Sequence, residues 1–230
     1  MTVITLTGHL GSMGTIASLV AERLGYTLAD RELLLEAAQA LGWSEDDAQA
    51  FDERTGSHGL AGLLEDVMRQ AAIAGMDSSG FGELVGSSYQ DTAAPEMRPR
   101  DRQYIEVISA LINGLAQRGD TIIVGRGAQA LLAGHEGVVH VRVVCELGER
   151  VGRIARRDGT SLEATRTRVE DSDKQREAWH QKYFKIDYRS PYLYHLVVNS
   201  GWLSDELAAD LIVELARTRE PRGEGSTARG

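Results

Sequence analysis

The 23 residues from Val3 to Gly25, VITLTGHLGSMGTIASLVAERLG, constrain the fold more than any other stretch: a short apolar strand, a glycine-rich turn, and a helix opening at about Thr15. The strand Val3-Ile4-Thr5-Leu6 is apolar and β-branched without strict alternation, as a strand buried on both faces of a parallel sheet would be. Gly8, Gly11 and Gly14 admit backbone conformations closed to other residues, and the following helix would aim its free N–H groups and positive dipole end back at the turn. An anion fits there. A complete phosphate-binding loop reads G-x-x-x-x-G-K-[ST]; counted from Gly8, Met13 stands at the second glycine, Gly14 at the lysine and Thr15 at the hydroxyl. The architecture is present and its main charge is missing. The G-x-G-x-x-G of dinucleotide folds is absent, which favours a mononucleotide phosphate, with a purely structural turn as the plain alternative.

At 230 residues the chain suffices for one sizeable core. The expected organisation is one domain over 1–217, with an insertion at 44–100, and a disordered tail at 218–230 that is poor in apolar residues. No window approaches the ~18 continuous apolar residues of a membrane span, and the first strand begins at once, so a cytoplasmic protein without membrane association is expected. The single cysteine, Cys145, excludes an internal disulfide framework and a cysteine-based zinc site. Net charge −9 argues against a general nucleic-acid binder. Yet only three of the 25 Lys and Arg residues are lysine, and a dense arginine group runs from Arg142 to Arg176. The planar arginine fork suits phosphate; a compositional preference for arginine would give the same count.

Along the chain, Tyr26–Ala29 reads as a second strand followed by Asp30-Arg31, and Arg31–Leu41 has helical composition ending at Gly42. Ser44–Asp47 resembles a capped helix start, Leu60–Ala74 has helical spacing, and Gly75–Pro99 has loop composition. Asp101–Arg118 is the clearest helix of the middle region. Then come strand Thr121–Val124 running into Gly125-Arg126-Gly127, a helical turn or two over Ala128–Leu132, and strand Val138–Val144 with His140 and Arg142 as its polar members. Glu149–Arg157 is helical, Asp158-Gly159 breaks it, Ser161 starts another helix, Leu196–Val198 is the last strand, and Ser204–Ala216 is a capped amphipathic helix. Strands alternating with helices imply an α/β fold with a mostly parallel sheet of about five strands, whose ligands collect outside the strands' carboxyl ends. Gly8–Thr15, Asp30-Arg31 and Gly125–Gly127 should therefore open onto one crevice.

Arg126, between two glycines after a buried strand, would fork onto a phosphate or serve as a surface arginine in a tight turn. Asp30 and Arg31 would face a ligand, or cap and begin the next helix, or both. Arg153 and Arg157 share a helix face, so they repel unless a phosphate or a carboxylate such as Glu149, Asp158 or Glu163 lies among them. None of the six histidines has metal-ligand spacing, although His9 within the glycine turn could donate to phosphate.

Together, GSMGTIASLVAERLG (11–25), ADRELLLEAA (29–38), IIVGRGAQALL (122–132), VVHVRVVCELGERVGRIARRDG (138–159) and the run from Asp171 to Ala216 resemble the cytidylate kinase-like proteins, a branch of the P-loop nucleoside monophosphate kinases. The resemblance implies a P-loop kinase-like fold with a helical lid at 158–190, and transfer of the γ-phosphoryl of ATP to CMP or dCMP with Mg²⁺. Carried over, it implies that Gly8, His9, Gly11, Ser12, Gly14 and Thr15 hold the ATP phosphates, with Thr15 also a metal ligand. Asp30, Arg31, Arg126 and Asp173 would contact the monophosphate nucleotide, and Arg126, Arg153, Arg157 and Arg176 would act on the transferred group. The chain departs from the authentic kinases in the missing loop lysine, for which His9 or an arginine would have to substitute, and in lacking their aspartates around Arg126. The other reading is a catalytically degenerate nucleotide-binding regulator or scaffold, with a homodimer or protein partner docked on the 55–100 insertion.

Overall fold

The glycine turn lies at the centre of a five-stranded parallel sheet because the strand leading into it is the middle one. In the computed structural model, residues 2–30 and 99–219 are described. Strands β1 (Val3–Gly8), β2 (Thr27–Ala29), β3 (Thr121–Val124), β4 (Val138–Val144) and β5 (Leu196–Asn199) run in the order β2-β3-β1-β4-β5, all parallel. Both neighbours of β1 arrive by long crossovers, so the chain reverses its direction of winding there, which is where open α/β sheets place their ligands. Arg31 and all of the expected 44–100 insertion except its last two residues lie outside the described residues.

The helices are α1 (Ile16–Leu24), α2 (Pro99–Arg118), α3 (Ala128–Leu131), α4 (Leu147–Asp158), α5 (Leu162–Phe184) and α6 (Asp205–Arg219). Gly25 ends α1 and Gly159 ends α4, both in the left-handed conformation, as their places in the sequence predict. The helix expected at Ser161 proves to be 23 residues long, capped by the Ser161 hydroxyl accepting from the Ala164 N–H. Its hydrophobic residues are sparse, which hid its length from a periodicity reading. No helix among the described residues is long and apolar enough to cross a membrane.

The two faces of the sheet differ. Ile4, Leu6, Ile122, Val139, Val141 and Val143 form one apolar face against α1 and α6. On the other face, Val3, Ile123 and Val138 pack with α2, α3 and the end of α5, including Trp179, Tyr183 and Phe184. Register pairs Val3 with Val138, Thr5 with His140, and Thr7 with Arg142. This second face thus turns from apolar to polar toward the strands' carboxyl ends, although all six residues are buried. Thr5 Oγ1 and His140 Nδ1 share a hydrogen bond of 2.8 Å, and the Thr7 hydroxyl donates to Gln129 Oε1 at 3.1 Å.

Candidate nucleotide site

The turn from Gly8 to Thr15 is fixed by its own hydrogen bonds and by α4. The Ser12 N–H and hydroxyl both donate to the His9 carbonyl, at 3.0 and 2.8 Å. Gly11 has φ +79°, and a Cβ there would stand 2.7 Å from Ile154 Cδ1 and 3.3 Å from the Arg150 carbonyl, so any other residue would be strained and crowded. Gly14, φ +51°, meets the carboxylate of Asp205 in the same way. That carboxylate accepts from the Thr15 N–H at 2.8 Å and from the Thr15 hydroxyl at 3.0 Å. The N-terminus of α1 therefore holds an anion supplied by the first turn of α6.

Above the turn, Arg150 and Asp173 join α4 to α5. Arg150, 5% exposed, donates to both Asp173 oxygens at 3.0 and 2.7 Å, and also to the Cys145 and Leu10 carbonyls. The last of these reaches into the glycine turn, so one guanidinium connects turn, α4 and α5. Beside it His9 Nε2 lies 2.9 Å from the Tyr188 hydroxyl, and the Tyr188 ring stacks on His180 with centroids 4.5 Å apart. Arg142 lies 5.4 Å from the centre of the Tyr188 ring and 5.9 Å from that of Tyr194.

Burial pushes the His9 imidazole down to about 4; Asp173 opposes that shift, while Arg150, Arg142 and Arg176 reinforce it. His9 is thus neutral near pH 7. A neutral imidazole does not supply the charge of the missing lysine. Burial likewise holds His180 at about 4, and raises the Tyr188 phenol.

Of the residues singled out in the sequence, the structure gathers Gly8, His9, Gly11, Ser12, Gly14 and Thr15 in the turn and brings Asp173 and Arg176 toward His9 from α5. Asp30 lies at the end of β2, half-buried. Arg126 follows β3 with φ +54°, between Gly125 and Gly127, both also left-handed. Gly127 packs beneath α5, since a Cβ there would lie 2.6 Å from Phe184 Cζ and 3.2 Å from Trp179 Cη2. Arg153 and Arg157 do not join this group. Arg153 donates to the Ser200 hydroxyl and carbonyl, while the Ser200 hydroxyl donates to the Ser12 carbonyl, so Arg153 braces the turn from behind. Arg157, 66% exposed, pairs with Asp158, which also takes Arg168; one of the carboxylates suggested by the sequence relieves the repulsion on that helix face.

Sequence reasoning placed Arg142 and Arg150 only within a general arginine group, and left His180, Tyr188 and Asp205 without a place in the site. A signal existed for Arg142, a charge placed in a strand that a parallel sheet buries on both faces. Asp205 was legible only as a favourable first-turn acid of α6, because its contact with Thr15 spans 190 positions.

Residues 3–201 match the model of the cytidylate kinase-like family. The chain belongs to that family. With it comes the nucleotide-kinase type of P-loop fold, as the sheet order and glycine turn also indicate. An uncharacterized protein from Eubacterium ventriosum ATCC 27560 has a similar crystal structure, with a TM-score of 0.59 and 17% identity over 95% of this chain and 100% of that one. The shikimate kinase from Acinetobacter baumannii, in complex with shikimate, gives a TM-score of 0.45 and 12% identity over 96% of this chain and 95% of that one. The shikimate kinase from Bacteroides thetaiotaomicron gives 0.46 and 13%, over 94% and 98%. At these identities the Eubacterium likeness concerns the fold of this family member alone. No curated protein matches the chain.

Proposed function

We propose that this member of the cytidylate kinase-like family transfers the γ-phosphoryl group of ATP to a pyrimidine nucleoside monophosphate, CMP or dCMP. The observation that carries the reading is the convergence of Arg142, Arg150 and Arg176 on a glycine turn at the switch point of the sheet, with the Arg150–Asp173 pair linking that turn to α5. Phosphoryl transfer depends mainly on positioning and charge neutralisation, and this arrangement supplies both.

The residues present fit a magnesium nucleotide. The turn lies at the switch point of the sheet, and the Thr15 hydroxyl with the Asp205 carboxylate forms an all-oxygen donor pair of the kind Mg²⁺ takes. Among the described residues no group of three or more His, Cys, Asp or Glu could hold a metal. Bound there, Mg²⁺ would neutralise charge on the phosphates. The chain's own contribution is to seat the phosphates on the turn, orient the acceptor with Asp30, Arg31 and Arg126, hold α5 to the turn through the Arg150–Asp173 pair, and exclude water beneath α5. We assign no cation to the vacant lysine role beyond the arginines around His9.

The test is ADP release from ATP by the full-length protein with Mg²⁺ and a panel of monophosphates. Turnover with CMP or dCMP above the other acceptors is expected. Absence of ADP with every acceptor, while ATP and CMP still bind, would overturn it. That result would select the second reading, a nucleotide-binding regulator, which the missing lysine and the neutral His9 favour.

A further inference from the structure

Arg142 has no place in the bracing network just described, and its surroundings do not account for its charge. It is 6% exposed on the middle of the fold's second sheet face, opposite Thr7. Among the described residues it has neither a hydrogen-bond acceptor nor a carboxylate partner, and its Nε is buried without one. The nearby carboxylates are engaged elsewhere, Asp173 by Arg150 and Asp187 by Arg189. Two tyrosine rings return a fraction of the cost of removing a guanidinium from water, because a ring face attracts a cation without satisfying its N–H donors.

The neighbourhood repeats the pattern. Gln129, 1% exposed, accepts from Thr7 through Oε1 but leaves its Nε2 without a partner, and His9 Nδ1 is likewise buried and unpartnered. A buried cation beside unused nitrogens at the carboxyl end of a central strand is a preformed seat for an anion. The half-buried His9 and Asp173 mark the side of this group nearest the glycine turn.

We propose that Arg142 is a further binding residue of this site, its guanidinium receiving a phosphoryl oxyanion of the bound nucleotide beside His9 and Gln129. The inference rests on the nucleotide-kinase reading for the identity of the ligand, but not for its charge. The acceptor's monophosphate and the donor's terminal phosphate share this chemistry. Asp173 and Arg150 complete each other, whereas Arg142 is completed by ligand.

The experiment titrates full-length wild type, Arg142→Met and Arg142→Lys separately with CMP, ATP and inorganic phosphate by calorimetry, and records each ligand-free melting temperature. Arg142→Met is expected to melt at or above the wild-type temperature, having lost an uncompensated buried charge, and to bind one nucleotide about 10- to 100-fold more weakly. Arg142→Lys, which keeps a point charge but loses the fork, should fall between the two. A loss confined to CMP assigns the seat to the acceptor, and one confined to ATP assigns it to the donor. If neither nucleotide binds the wild type but inorganic phosphate binds it and not Arg142→Met, the seat stands while the kinase reading falls. If Arg142→Met binds all three as the wild type does, or if ligand-free Arg142→Met melts several degrees lower, Arg142 is a structural cation and the proposal is overturned, whatever the ADP-release assay shows.

Discussion

Replacing Asp173 with alanine tests whether one ion pair holds α5 against the glycine turn. The change leaves Arg150 bonded to the Cys145 and Leu10 carbonyls but removes both carboxylate contacts, at 3.0 and 2.7 Å, and with them its counter-charge. Breaking a fully buried pair costs about 3–5 kcal/mol and an exposed one about 0–1. Arg150 is 5% exposed and Asp173 25%, so the loss belongs between those limits, nearer the middle of the span. We expect about 2–3 kcal/mol, which for a chain of this size is a fall of roughly 5–10 °C in melting temperature. Arg150→Met should cost a similar amount, because it leaves the carboxylate alone. The double variant should lose no more than either single one, giving a coupling energy of about 2–3 kcal/mol, since no unpaired charge remains. Urea unfolding of the four proteins, followed by tryptophan fluorescence, measures all of these terms. Strictly additive single losses, or an Asp173→Ala within about 0.5 kcal/mol of wild type, would refute the latch.

Three more outcomes follow from the same contacts. His140 and His180, buried and held neutral with pKa values lowered to about 4, bind protons more readily in the unfolded chain. Their contribution is complete above pH ~6.5 and is lost as pH falls toward 4, at about 1–2 kcal/mol each by pH 5 after solvent screening, readable as a melting temperature that drops across that window. Asp205→Ala should cost about 1 kcal/mol in urea unfolding through loss of the cap on Thr15, with Asp205→Asn losing less. Gly127→Ala should destabilise by about 2–3 kcal/mol, because φ +71° is joined by a collision with the Phe184 ring, whereas Gly125→Ala, at φ +74° with nothing within 4 Å of its Cβ, should cost about 1 kcal/mol in the same assay.

The sequence carried the fold because its signals were local. β1, the glycine turn, the capping residues Gly25, Gly159 and Ser161, and the strand at Val138–Val144 are each specified by residues a few positions apart. Site contacts were legible only where a motif fixed them. The turn residues came through, whereas the divergent fates of Arg150, Arg153 and Arg157 did not, since three arginines on one helix look alike until Asp173, Ser200 and Asp158 are placed around them. Neutralisation of His9 required knowing that it is buried against Tyr188 among guanidinium groups, a fact of tertiary packing without local trace.

The graded face shared by β1 and β4, from Val3 and Val138 through Thr5 and His140 to Thr7 and Arg142, has a consequence for engineering. A thermostability screen run without ligand would reward an aliphatic substitution at Arg142, whose buried Nε has no partner, but not at Thr5, Thr7 or His140, whose buried hydrogen bonds it would break. If Arg142 seats an oxyanion as proposed, the hardiest variants would then be those that had lost that seat. Selection for heat resistance in this chain should accordingly be carried out with nucleotide present, so that the folded state being favoured is the occupied one.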